Sequence, residues 1–106
     1  MDYNSITLTG YLASDIQFQV LNHDKKELPI AKFNIACNGA KEKDSFFMPV
    51  SIFGKKAELS NSILKKGKHA LITGRLQSNK VDGKTYTEII CRDFVVLSKK
   101  EEAVPV

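Results

Sequence analysis

The chain has no tryptophan, three prolines and two cysteines, and only two of its sixteen cations are arginine. Each shortage narrows the choice of function. Cys37 and Cys91 form no Cys-x-x-Cys pair, and His23 and His69 stand at no metal-ligand spacing, so neither a disulfide scaffold nor a zinc module is expected. Each cysteine lies inside an apolar alternating run, the setting of a buried thiol in a reducing cytosol. No apolar run approaches the ~20 residues needed to span a membrane, and no leader pattern opens the chain, so a cytoplasmic protein is expected. Paired carboxylates and a nucleophile beside a base are also missing; Asp15, Asp82 and Asp93 are isolated, so neither catalysis nor a cofactor is expected. Scarce arginine argues against bidentate reading of base edges. Abundant lysine suits loose contact with phosphate, or simply a soluble surface, and composition leaves both open.

What is present fits one small domain. The 106 residues carry a net charge of +4, compatible with a polyanionic partner. Ser5–Leu12 alternates, with Ile6, Leu8 and Leu12 on one side, and Gly10 on that side marks a bulge or sharp bend. The alternation resumes at Ile16–Val20, and the polar stretch Asn22–Pro29 reads as a loop. A second strand is expected over Ile30–Asn38, a charged loop over Gly39–Asp44, and a third strand over Ser45–Phe53. Pro49 lacks a ladder donor, so the third strand must be at an edge or bulged there. Gly54–Lys66 reads as a helix with Gly67 as its C-cap and Lys65, Lys66 and Lys68 at its cation-favouring end. A fourth strand starts near His69 with Ala70, Ile72, Gly74 and Leu76 inward; Asp82-Gly83 is a hairpin turn. The fifth strand runs from Thr85 to about Leu97 with Ile89 and Cys91 inward. Three strands, a helix and two strands make an all-β fold with one helix, the order of a five-stranded Greek-key barrel of the oligonucleotide/oligosaccharide-binding (OB) type. Residues 1–98 form this domain and 99–106 a short tail.

The outward side of the third strand carries the chemical signal. Phe46, Met48, Val50 and Ile52 fall on the core side, leaving Phe47 and Phe53 to point out. Bare rings cost solubility unless something packs on them, and nucleobases stack on such rings whatever their sequence. Lys32, Lys55, Lys56, Arg75 and Lys80 surround them, cations placed to track phosphates. Pattern alone leaves open that either ring packs beneath a loop or in a subunit interface.

The segments Phe53-Gly54-Lys55-Lys56-Ala57-Glu58, Leu64-Lys65-Lys66-Gly67 and Ile72-Thr73-Gly74-Arg75-Leu76 together resemble the bacterial single-stranded-DNA-binding protein family. Asn4 with Leu8–Leu12, Ala31–Ala36 and Tyr86–Ile89 extend the likeness from about Asn4 to Leu97. The resemblance implies an OB barrel that binds single-stranded DNA without sequence preference during replication, recombination or repair, in the nucleoid. It implies Phe47 and Phe53 as stacking rings, Lys55 and Lys80 as backbone contacts, and Tyr86 as a further DNA-binding residue. It also implies pairing of subunits through Asn4–Leu8 into a dimer or tetramer. There are departures: Val81 replaces the hairpin aromatic, and Gln19, Gln77 and Asn79 stand where basic residues are frequent. The family's acidic tail tip, which docks replication and repair partners, is only faintly echoed by Glu101–Val106, for which a frayed terminus is the simpler expectation. Met48-Pro49-Val50 also resembles a primosomal replication-restart protein of the same fold, and an OB module that binds only proteins is the third reading.

Overall fold

The computed structural model describes residues 2–38 and 45–97. The expected loop Gly39–Asp44, the tail from Ser98 and the docking tip Glu101–Val106 lie outside them. Seven elements follow in order: β1 (Ile6–Leu12), β2 (Gln17–His23), β3 (Lys26–Cys37), β4 (Phe46–Phe53), α1 (Lys55–Ile63), β5 (His69–Val81) and β6 (Lys84–Val96).

The sheet runs β1-β5-β6-β4-β3-β2, and β1 also pairs with β3, so five strands close into a ring and β2 is added outside it on β3. The pairings are antiparallel apart from β4 beside β6, where Val50, Ser51 and Ile52 face Ile89, Ile90 and Cys91 in parallel. This is the expected OB order. Alternation explains the core: Leu12, Phe33, Ile35, Val50, Ile52, Ile72 and Ile89 are buried together, with Ala57 and Leu64 from the helix region covering them. Cys37 and Cys91 are free, buried thiols. Burial pushes the Cys91 thiol up to about 11, the direction that suppresses the reactive thiolate.

Closure depends on a missing side chain. Gly10 lies where β1 passes from β5 to β3: Gly10 pairs with Ala70, and the next residue, Tyr11, pairs with both His69 and Ala36. A Cβ on Gly10 would sit 2.4 Å from the Ala36 carbonyl oxygen. The glycine thus permits a close approach, and β1 shows no register shift. The bulge lies between β5 and β6, at Thr73/Gly74. Gly10→Ala should force β1 and β3 apart and destabilise the fold by roughly 1–3 kcal/mol, read as a lower midpoint in urea. An unchanged midpoint would show that closure tolerates the methyl group.

Several boundaries differ from the sequence expectation. Asn22–Pro29 is a hairpin, not a loop: β2 and β3 pair through His23↔Lys26, and Asp24 and Lys25 turn the chain with φ of 50° and 66°. Polar composition hid it, because this hairpin extends past the ring and has little apolar surface to bury. The helix ends at Ile63, not Lys66. Leu64 turns extended, with φ −96° and ψ 130°, while its N–H still donates to the Ser60 carbonyl, and this drops its side chain into the core. Gly67 is therefore not the C-cap; its N–H donates to the Leu12 carbonyl and leads into β5. Lys65, Lys66 and Lys68 lie past the helix end, and Leu59 and Ile63 face solvent while Ala57 and Ser60 are buried. At the other end, Gly54 takes φ 79° and ψ −148°, a conformation that glycine adopts without strain, and starts the helix directly at Lys55.

Two core assignments also shift outward. Leu76 is 38% exposed because β5 has left the ring there; the β1–β5 ladder stops at Ile6↔Gly74. The Asn4 side chain takes over, donating from Nδ2 to the Leu76 carbonyl at 2.8 Å and accepting from the Leu76 N–H at 3.0 Å. Phe46 is half exposed at the start of β4. Pro49 behaves as expected: it lies just before the β4–β6 ladder, where β4 is an edge.

Candidate nucleic-acid interface

Residues paired across a ladder point to the same side of the sheet, so the register assembles one outward face strand by strand. Phe53, Ser51, Pro49 and Phe47 of β4 lie opposite Ile30, Lys32, Asn34 and Ala36 of β3. Lys32 lies opposite Gln17 of β2. On the other side, Ser51 neighbours Ile90 of β6. Ile90, Glu88 and Tyr86 then lie opposite Arg75, Gln77 and Asn79 of β5. The face thus crosses five strands without interruption.

Three rings stand bare on it: Phe47 is 67% exposed, Tyr86 53% and Phe53 40%. Phe47 and Phe53 are six residues apart on one strand, about 20 Å at ~3.3 Å per residue. Between them lies a groove of about 460 Å³, with Lys32, Asn34, Pro49 and Ser51 on one side and Asn79, Tyr86 and Glu88 on the other. A smaller depression of about 300 Å³ lies at Phe53, lined also by Arg75, Ile90 and Arg92.

The sequence-derived residues divide into two groups. Phe47, Phe53, Lys32, Arg75 and Tyr86 share the face. Lys80 pairs with Thr85, so it projects from the opposite side of the β5–β6 hairpin to Tyr86. Lys55 is exposed at the first turn of α1. The Lys56 ammonium is bound to the Asp93 carboxylate at 2.9 Å. That hydrogen bond holds the Asp93 carboxyl below the usual carboxylate range. Lys56 thus has a protein partner that the sequence pattern did not reveal.

Two features escaped the sequence reading. Arg92 reaches the face at its Phe53 end; the inward pair Ile89 and Cys91 left it outward by alternation, so the signal was present. The other is a chain of side-chain hydrogen bonds. The Arg75 guanidinium donates to Gln77 Oε1 at 3.0 Å, Gln77 Nε2 to Asn79 Oδ1 at 3.4 Å, and Asn79 Nδ2 to Glu88 Oε2 at 3.2 Å. From β4, Ser51 Oγ donates to Glu88 Oε1 at 2.7 Å. That bond joins residues 37 positions apart across the parallel pairing, which no local pattern shows. Both ends fix the amide orientations: a guanidinium only donates and an ionised carboxylate only accepts, so each amide between them must accept at its oxygen and donate at its nitrogen.

The face can therefore stack flat rings, hold phosphates at its Lys32 and Arg75–Arg92 margins, and offer acceptors at its centre. Among the described residues no group of three or more His, Cys, Asp or Glu is placed to hold a metal ion, and no helix is long and apolar enough to cross a membrane.

Known proteins match this chain at both levels. A single-stranded DNA-binding protein of Wolinella succinogenes is 36% identical over 81 residues, 70% of this chain and 48% of that protein. Single-stranded DNA-binding protein 1 of Streptococcus pyogenes is 31% identical over 110 residues, covering 92% of this chain and 81% of the relative. The crystal structure of the single-stranded DNA binding protein from Thermus aquaticus superposes with a TM-score of 0.74 at 20% identity, over 92% of this chain and 41% of that one. The chain thus spans about half the length of the first of these relatives and most of the second. The fold is shared with the Thermus protein, and residues 3–97, from just before β1 to just past β6, match the model of the single-strand binding protein family; the chain belongs to that family.

Proposed function

We propose that this protein binds single-stranded DNA through the β2–β6 face, with Phe47, Phe53 and Tyr86 stacking on bases and Lys32, Arg75 and Arg92 holding the backbone. The observation that carries the reading is one uninterrupted sheet face with three exposed rings and cations at its margins, in a chain of the single-strand binding protein family. Stacking takes any base, so the binding is largely independent of sequence. The role is passive: the protein covers unwound DNA during replication, recombination or repair, and no bond is made or broken. It works where DNA is, in the nucleoid.

A homo-oligomer is part of the proposal. β1 pairs with β5 along Ile6–Tyr11, but with β3 only at Tyr11 and Leu12, so its other edge from Ile6 to Gly10 meets no strand among the described residues. Open edges invite pairing, and a second copy across a two-fold axis would cover both at once. Light scattering that returns a monomer mass would remove this part.

The test of binding is fluorescence anisotropy of labelled oligo-dT at several salt concentrations. Saturable binding that weakens with salt is expected. Lys32→Ala should flatten the slope of log affinity against log salt by about 0.7, the value for one phosphate contact on a single strand. An unaltered slope would take Lys32 off the phosphate path. The protein-interaction alternative predicts no change with oligo-dT, and the replication-restart alternative predicts that a pulldown retains a restart helicase or its loader.

A further inference from the structure

A surface that takes up a polyanion should avoid a carboxylate at its centre, yet Glu88 sits there. It lines the main groove between Lys32 and Tyr86. Its hydrogen-bond partners are neutral: the Ser51 hydroxyl and the Asn79 amide. No cation lies within ion-pair distance of it among the described residues, where the Lys56–Asp93 pair stands elsewhere on the molecule. Arg75 reaches it only through two amides, and its guanidinium stays at the Phe53 end. The negative charge is therefore held in place and left uncompensated in the middle of the face.

The geometry points to Glu88 as a base-edge acceptor that prefers nucleobases carrying an exocyclic amine. This rests on the single-stranded DNA reading above and adds a specificity to it. Phosphates are repelled from the groove centre toward the lysine and arginine margins, so the backbone runs along the rims and a base edge turns inward. Each carboxylate oxygen has a second lone pair after its bond to Ser51 or Asn79. The donors a single strand offers there are the amines of cytosine, adenine and guanine and the ring N–H groups of guanine, thymine and uracil; in thymine and uracil that N–H is flanked by two carbonyl oxygens, which the carboxylate repels. Thymine and uracil present a carbonyl oxygen at the position of cytosine's amine, which sets acceptor against acceptor. Ser51 and Asn79 act as positioning residues: their bonds fix the carboxylate, and they commit the single Ser51 hydroxyl proton and one of the two Asn79 amide hydrogens to it. Gln77 and Asn79, which stand where the family often has basic residues, build the ladder that holds this arrangement.

The test compares dC and dU 15-mers, which have equal length and no methyl difference, by competition against one labelled strand. The wild-type chain should bind dC roughly five- to tenfold more tightly than dU. Glu88→Gln, whose amide can donate as well as accept, should bring that ratio to about one and tighten dU itself. Equal affinities in the wild type, or a ratio undiminished in Glu88→Gln, would overturn the inference while leaving the single-stranded DNA reading intact. Binding of neither oligomer would overturn that reading and this inference with it. If Glu88→Gln does not fold, the wild-type comparison of dC with dU decides alone.

Discussion

Phe47→Ala and Phe53→Ala are each expected to weaken binding of oligo-dT by roughly 1–3 kcal/mol, about five- to 150-fold in Kd. Neither should lower the unfolding midpoint much, because both rings already face water. The two sites are about 20 Å apart on one strand, so the losses should add, and the double variant should lose about 2–6 kcal/mol. Anisotropy titration of the three variants against the wild type checks this. If the double variant binds like the wild type, the β4 face is not the one that DNA covers.

Ile52→Ala makes the reverse prediction from the next residue along. Ile52 is fully buried, flanked by Ala31 of β3 on one side and Cys91 of β6 on the other. Truncating it removes three carbons from the closed ring and leaves a cavity that flanking strands cannot collapse to fill. The expected cost is about 2–5 kcal/mol of stability, seen as a lower midpoint in urea. Below that midpoint the variant should bind oligo-dT within a few-fold of wild type, since Ile52 lies on the side of β4 away from the bases. One strand thus separates two roles by parity: odd residues from Phe47 to Phe53 grip, and even residues from Val50 to Ile52 hold the ring. Equal damage to binding from Ile52→Ala and Phe53→Ala, measured on folded protein, would break that separation.

The same parity explains what could be read in advance. Val50, Ile52, Ile72 and Ile89 announce the core because each strand of the ring has one wet and one dry face, and period-two alternation is local. Phe47 and Phe53 stood out for the same reason, as rings on the wrong side of that pattern. Asp82-Gly83 announced the long hairpin because its turn needs positive φ, here 51° and 80°. Legibility fails where tertiary contact outweighs the local pattern. The helix would continue past Ile63 on propensity alone, but Leu64 gains more by extending into the core. Asn22–Pro29 pairs as a ladder of polar residues, so its strands lack the apolar alternation that marks the others. Leu76 carries an inward pattern beyond the point where there is an interior to fill. In the candidate site, the rings and Lys32 were visible from the strand they sit on. Lys56 bonded to Asp93, Lys80 on the far side of the hairpin and Ser51 bonded to Glu88 all depend on which strands become neighbours, and spacing along the chain does not encode that.

The central claim is that bases lie on the rings of the outward sheet face, and photocrosslinking tests it most directly. A short oligonucleotide carrying 5-iodouracil is bound, irradiated and digested, and the modified peptides are mapped by mass spectrometry. Crosslinks should concentrate on Phe47, Phe53 and Tyr86 and fall away with rising salt. Crosslinks concentrated instead on Phe18 or Phe46, rings that are also accessible but pair with the inward-facing Ala31 and Cys37 and so lie off this face, would contradict the account.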